Sequence, residues 1–243
     1  SPDLMTGGTR GVFSGGFTPS PSPGNQDVMD YINIATTGNA IDFGDLSAGR
    51  SALGATSDRT RGIVVGGYTP SNSDIIEFFT FASTGDATDF EDLTFARRYC
   101  TAASNGTRGL ILGGYVSDYQ NSIEYVTIQA AAEAVDFGNL VTAATDRVAV
   151  CNSTKSVTAG GETGSGRITL IEYVMTSTLG NGASFGDLTV GRRGCGGACN
   201  SIRGVWMGGD NPGDTNTIDY IEFATLGDAI DFGDLSTAAG RRQ

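Results

Sequence analysis

Along this chain, short apolar runs alternate with polar, glycine-bearing breaks, and the pattern repeats. In the stretch opening at Arg97, residues 98–104 are small and apolar, and Asn105-Gly106 is a hairpin signal. Gly109-Leu110-Ile111-Leu112-Gly113-Gly114 follows, then a polar loop, then 122–128 with Ile123, Tyr125, Val126 and Ile128, then 134–140. Runs of this length bounded by turn residues predict four β-strands. The second and third are almost continuously apolar, as in Ile63-Val64-Val65 and Phe78-Phe79-Thr80-Phe81, which predicts sheets covered on both faces. Gln129-Ala130-Ala131-Ala132-Glu133-Ala134 has helical propensity. Its counterparts Gly38-Asn39, Gly85-Asp86 and Gly227-Asp228 predict two-residue hairpin turns between the third and fourth strands, and the alanine-rich segment is assigned to a turn as well.

Three anchors recur in phase, once in each unit. Gly-Gly recurs at 15–16, 66–67, 113–114, 160–161 and 208–209. An acidic–aromatic pair recurs as Asp30-Tyr31, Glu77-Phe78, Glu124-Tyr125, Glu172-Tyr173 and Asp219-Tyr220. The run Asp42-Phe43-Gly44-Asp45-Leu46 returns at Phe90, Phe137, Phe185 and Phe232, in steps of 47, 47, 48 and 47 residues. The 243 residues thus divide into units of about 1–48, 49–95, 96–142, 143–190 and 191–238. A small sheet that cannot bury both faces alone must stack on its neighbours. The expected fold is all-β: one five-bladed β-propeller with four antiparallel strands per blade. The small residues of the first strand suit the crowded centre. The repeated Phe suits a wedge between blades, and its flanking acids suit a charged outer edge. The inner strand of the first blade is expected from residues 1–9, where Leu4-Met5 align, or from 240–243, with the two termini meeting in one blade.

With 37 glycines, 6 prolines and 39% hydrophobic residues, the chain has both tight turns and a core. The net charge of −12 makes nucleic acid an unfavourable partner. No stretch approaches the ~20 apolar residues of a membrane helix, and no N-terminal segment has the order of a signal peptide. Of Cys100, Cys151, Cys195 and Cys199, only Cys151 and Cys199 occupy equivalent positions in adjacent blades. Buried free thiols are expected rather than a disulfide framework.

Gly-Gly closing the second strand, an aromatic in the third, an aromatic near the end of the fourth and an Arg opening the next unit resemble the kelch repeat. The likeness covers the whole chain, with Phe where kelch units carry Trp. Thr60-Arg61-Gly62-Ile63, Ala96-Arg97-Arg98 and Gly227-Asp228-Ala229-Ile230-Asp231-Phe232 are similar to kelch-like repeats in tail-fibre and other virion proteins of marine phages, cyanophages among them. The resemblance implies a non-enzymatic binding or structural role in a tail, fibre or capsid decoration. The partners would be other virion proteins or a host surface receptor or glycan. The location would be the virion, assembled in host cytoplasm, or else extracellular. A lectin-like propeller is the alternative, and a glycoside hydrolase using rim carboxylates a second one.

The absence of histidine removes Ser-His-Asp and Cys-His catalysis and the commonest transition-metal ligand. No cofactor or metal is expected. The pairs Asp42/Asp45, Asp89/Asp92 and Asp231/Asp234 recur around a rim, unlike the single pair of a glycosidase cleft. The carboxylates at 30, 77, 124, 172 and 219 sit in apolar strands and need partners. Arg10, Arg61, Arg108, Lys155 and Arg203 are candidates, with backbone amides or the arginines opening each first strand as alternatives. The loops between second and third strands (17–27, 68–74, 115–121, 162–167, 210–216) diverge among units, as binding loops on a rigid scaffold do. Phe17, Tyr68, Tyr115 and Tyr119 are candidates for an aromatic contact surface. Asp210 and Asp214, in Asp210-Asn211-Pro212-Gly213-Asp214, are candidate oxygen ligands.

Overall fold

The structure, a computed structural model, describes residues 9–19 and 24–240. It is all-β, and its five main sheets are antiparallel meanders arranged as a five-bladed propeller. Blade 1 contains Arg10–Ser14, Val28–Asn33 and Ile41–Asp45. Blade 2 contains Gly54–Ser57, Arg61–Val65, Ser73–Thr80 and Thr88–Arg97; blade 3 contains Thr101–Ser104, Arg108–Tyr115, Tyr119–Thr127 and Val135–Asn139. Blade 4 contains Val148–Cys151, Lys155–Ala159, Leu170–Met175 and Ala183–Asp187; blade 5 contains Gly196–Cys199, Arg203–Met207, Thr217–Glu222 and Ile230–Asp234. The expected fourth strand of blade 1 falls on Leu4-Met5 or on the C-terminal residues after Gly240, which lie outside the described residues.

The small-residue first strands of blades 2 to 5 pack on one another at the centre. All five blades line one central cavity of about 430 Å³. The Gly-Gly pairs let each blade accept the chain leading into the next. Gly66 and Gly67 have φ of 61° and 104°, and a Cβ on Gly66 would stand 2.7 Å from the Arg97 carbonyl oxygen. Gly67 N donates to that same carbonyl at 2.9 Å.

Three devices join consecutive blades. The first is the outer-strand Phe, which wedges against the next blade: Phe43 meets Phe79 edge-on at 5.2 Å, and Phe185 packs with Ile221, Phe223 and Ala229. The second is a cation. Arg10, Arg61, Arg108 and Lys155 donate to the carbonyls of Phe81, Ile128, Thr176 and Phe223 in the following blade, at 2.7, 2.9, 3.2 and 2.6 Å. The third is the loop between third and fourth strands. The last paired residues there are Phe78 and Thr88 in blade 2 and Tyr220 and Ile230 in blade 5, so these connections are not the expected two-residue hairpins. The intervening chain folds back onto the preceding blade. Gly85, Gly180 and Gly227 N donate to the carbonyls of Phe43, Phe137 and Phe185 at 2.7, 2.9 and 2.9 Å. Residues 129–134, where helical propensity is highest, form a turn and no helix.

The cations of the second device are therefore not the partners of the buried carboxylates. Each extends forward to the next blade while its guanidinium or ammonium lies over its own blade's aromatic, as Arg61 does over Phe78 at 4.1 Å. The carboxylates pair instead with arginines that lead into the same blade: Arg50–Glu77, Arg97–Glu124, Arg147–Glu172 at 2.8 Å and Arg192–Asp219 at 3.0 Å. All eight side chains are 0–2% exposed. The preceding blade supplies further donors, such as Ser47 N to Glu77 and Thr142 N to Glu172 at 2.8 and 2.9 Å. Burial nevertheless holds the Glu124 and Glu172 carboxyls above the ordinary range, opposed by Arg97 and Arg147. Among the cysteines, Cys100 and Cys151 are buried free thiols, Cys195 is half-buried and Cys199 is exposed.

Candidate binding face

The chain entering each blade and the loop between its second and third strands meet at one end of the ring. Single bridges join them in four blades: Ser51 with Tyr68, Arg98 with Tyr115, Thr145 with Glu162 and Arg193 with Asp210. The loops are then closed on themselves by the bridges Tyr68 with Asn72 and Asp210 with Asp214 and by the strand pair Tyr115 with Tyr119. Loop residues that differ between blades are thus placed on a common, fixed scaffold beside the mouth of the central cavity.

Two equivalent slots on this face are filled in opposite ways. Arg193 stands between blades 4 and 5 and is neutralised by Glu162 and by Asp210, the latter at 3.4 Å. Asp210 also accepts from Arg167 at 2.7 Å, and that bond holds its carboxyl below the usual range. Arg98 occupies the same slot between blades 2 and 3, where the flanking residues are Tyr68 and Tyr115. Its Cζ lies 4.7 Å from the Tyr68 ring centre, 5.3 Å from Tyr115 and 5.4 Å from Tyr99. Its Nε is buried with no hydrogen-bond partner, and among the described residues no carboxylate pairs with it. Tyr119 completes the group by an edge-on contact with Tyr115 at 5.7 Å. Asn72 ties the blade 2 loop to the Val116 carbonyl of blade 3 at 3.1 Å, fixing the distance between the flanking tyrosines.

Tyr99 adds strain to this corner. It has φ 54° and lines the cavity, as do its counterparts Ala52 (φ 55°), Asp146 (φ 54°) and Gly194 (φ 59°). A left-handed conformation costs a side-chain-bearing residue about 1–2 kcal/mol. Tyr99 N donates to the Ala52 carbonyl at 2.8 Å, and Gly194 N to that of Asp146 at 3.1 Å. These bonds hold the strained residues around the cavity mouth.

Of the candidates named from sequence, the structure brings Tyr68, Tyr115 and Tyr119 together. Phe17 is exposed on blade 1, in a short ladder with Asn25, and makes no ring contact with the tyrosines. Asp210 is committed to its arginines. Asp214 is exposed, and its carboxylate faces Gly240. Among the described residues no cluster of three or more Cys, Asp or Glu side chains is positioned for a metal ion. The rim acids Asp45 and Asp92 are exposed. Their carboxyls are raised by partial desolvation and then by neighbouring carboxylates, Asp27, Asp86 and Asp42 for Asp45 and Asp74, Asp89 and Glu133 for Asp92. Arg98 and Tyr99 were missed by composition and motif. Aligning the slots would have found Arg98, because Arg97-Arg98 and Arg192-Arg193 match while the flanking acids of one slot are tyrosines in the other.

The chain is therefore a five-bladed β-propeller with a tyrosine-lined arginine on its loop face that no carboxylate among the described residues neutralises. Neither a protein-family model nor a curated protein matches it.

Proposed function

We propose that this propeller is a non-enzymatic binding module whose contact surface is the loop face centred on Arg98, and that its ligand is a sugar bearing a carboxylate. The observation carrying the reading is the contrast between the two slots: Arg193 has two carboxylates of its own, and Arg98, among the described residues, has tyrosine rings in their place. A guanidinium recognises a carboxylate with two parallel hydrogen bonds, while tyrosine rings pack on the apolar face of a sugar. With a net charge of −12, long-range attraction of an anion is weak, so recognition rests on these short-range contacts.

The likeness of the repeats to phage virion proteins supports placing this face on a tail, fibre or capsid decoration, turned towards a host surface glycan. The hydrolase alternative has less support, because the rim acids are exposed on separate blades; it requires turnover of a glycoside that Asp45→Asn abolishes. The test of the main reading is a glycan array probed with the wild type and Arg98→Ala. Retention of uronate- or sialate-bearing glycans, lost in Arg98→Ala, is expected. No retention, or equal retention by the variant, overturns it.

A further inference from the structure

Four junctions of the ring carry the Phe wedge and the forward-reaching cation; between blade 5 and blade 1 the described residues carry neither. Phe232 is 57% exposed, whereas Phe43, Phe90, Phe137 and Phe185 are 1–3% exposed. Ile34 of blade 1 is 66% exposed, although its counterparts Ile128 and Phe223 are buried. Arg203 turns back to Glu222 of its own blade at 3.2 Å instead of reaching forward to a carbonyl. A Cβ on Gly44, Gly138 or Gly186 would lie 2.1–2.4 Å from a carbonyl oxygen of the next blade's loop; on Gly233 it would meet nothing within 4 Å. Yet Asp231-Phe232-Gly233-Asp234-Leu235 repeats Asp42 to Leu46 residue for residue. Blade 5 thus presents a complete half-junction, and blade 1 presents the matching half through Ile34 and the Gly38-Asn39-Ala40 loop.

We infer that these halves mate between chains, blade 5 of one copy taking blade 1 of a second copy. The four formed junctions define what the occupant must offer: a residue at the Ile34 position to cover the Phe, which is Phe81, Ile128 or Phe223 in three of them and Thr176 in the fourth, the carbonyl of that residue for Arg203, and a loop to cap the outer strand, three times Gly-Asp or Gly-Asn and once Ala132-Glu133. Blades 1 and 5 both line the central cavity and are tethered to each other through blades 2 to 4, yet Phe232 and Ile34 of the two halves stay in solvent. A second copy brings a blade 1 without that tether. The contact is heterologous, so it grows into a closed ring or a filament.

The test is light scattering coupled to size-exclusion chromatography across the micromolar range, with Phe232→Asp and Ile34→Asp. Both positions are exposed, so each variant should melt with the wild type. Wild type is expected to associate with rising concentration. Either substitution should weaken association on the order of a hundredfold, from the value of burying one large apolar side chain. Mixing the two variants should restore one intact junction and give a two-chain species that stops there. A wild type that stays monomeric, association insensitive to both substitutions, or a mixture that forms no pair would each overturn the inference.

Discussion

Removing Arg147 tests the physical reading of the ring most sharply, because its partner is fully enclosed. Arg147 and Glu172 are 1% and 0% exposed and 2.8 Å apart. Glu172 also accepts from Thr142 N, and Arg147 donates to the Thr142 carbonyl at 3.2 Å. Arg147→Met fills similar space but leaves a carboxylate without its cation, so the loss is that of breaking a buried pair, about 3–5 kcal/mol. For a domain of this size that lowers Tm by roughly 6–20 °C. Arg147→Met with Glu172→Leu removes both charges, and the double variant should recover to near wild type or above it. Urea unfolding followed by circular dichroism, with the slope checked for two-state behaviour, measures both. A single variant costing under about 1 kcal/mol, the value of an exposed pair, would refute the claim that these charges are desolvated. So would a double variant no better than the single one.

Two further outcomes follow from the same geometry. Gly138 and Gly233 have φ of 141° and 132°, but only Gly138 is jammed against a neighbouring loop. Both alanine variants carry backbone strain, and Gly138→Ala should cost about 1–3 kcal/mol more from overpacking; equal losses in thermal melts would contradict the junction described. Glu124, Glu172, Asp45 and Asp92 all have carboxyls raised above their unfolded values. Each contributes stability that is present below the unfolded pKa and lost as pH rises through the raised folded pKa. Asp210, held low by Arg167, acts oppositely and loses its contribution only as pH falls through that depressed value. No histidine titrates in between. Cys199, lowered to about 6 by its hydrogen bond with Cys151, titrates there with the opposite sign, so the carboxyl effect is read in Cys199→Ser, whose Tm should rise as pH is lowered from 7 towards about 5; a falling Tm in that variant would be the contrary result.

The period, the strand order and the Phe wedges were legible because each recurs with its burial pattern intact. Pairing of the buried carboxylates was less so. Arg50, Arg97 and Arg192 follow their Leu by four residues, but Arg147 follows Leu140 by seven and still reaches the equivalent carboxylate, Glu172. Spacing alone does not show that a longer lead-in delivers the same charge. The Gly-Asp dipeptides looked like hairpin turns because their chemistry suits one; their use in capping the preceding blade depends on a tertiary contact. Glu91 illustrates this. It has φ 128° where other blades have Gly, and the loop opposite it carries Ala132-Glu133 rather than a Gly-Asp or Gly-Asn pair. The uncovered state of Phe232 was not legible at all, since its local sequence equals that of the buried Phe43.

Hydrogen–deuterium exchange of the dilute, monomeric protein tests the account of four made junctions and one open one. Amides of Gly85, Gly180 and Gly227 bond across junctions and should exchange slowly, while Gly38 and Ala40 of blade 1 should exchange at nearly the unprotected rate. Slow exchange at Gly38 and Ala40 in the monomer would mean that the chain closes on itself, contrary to the open junction described.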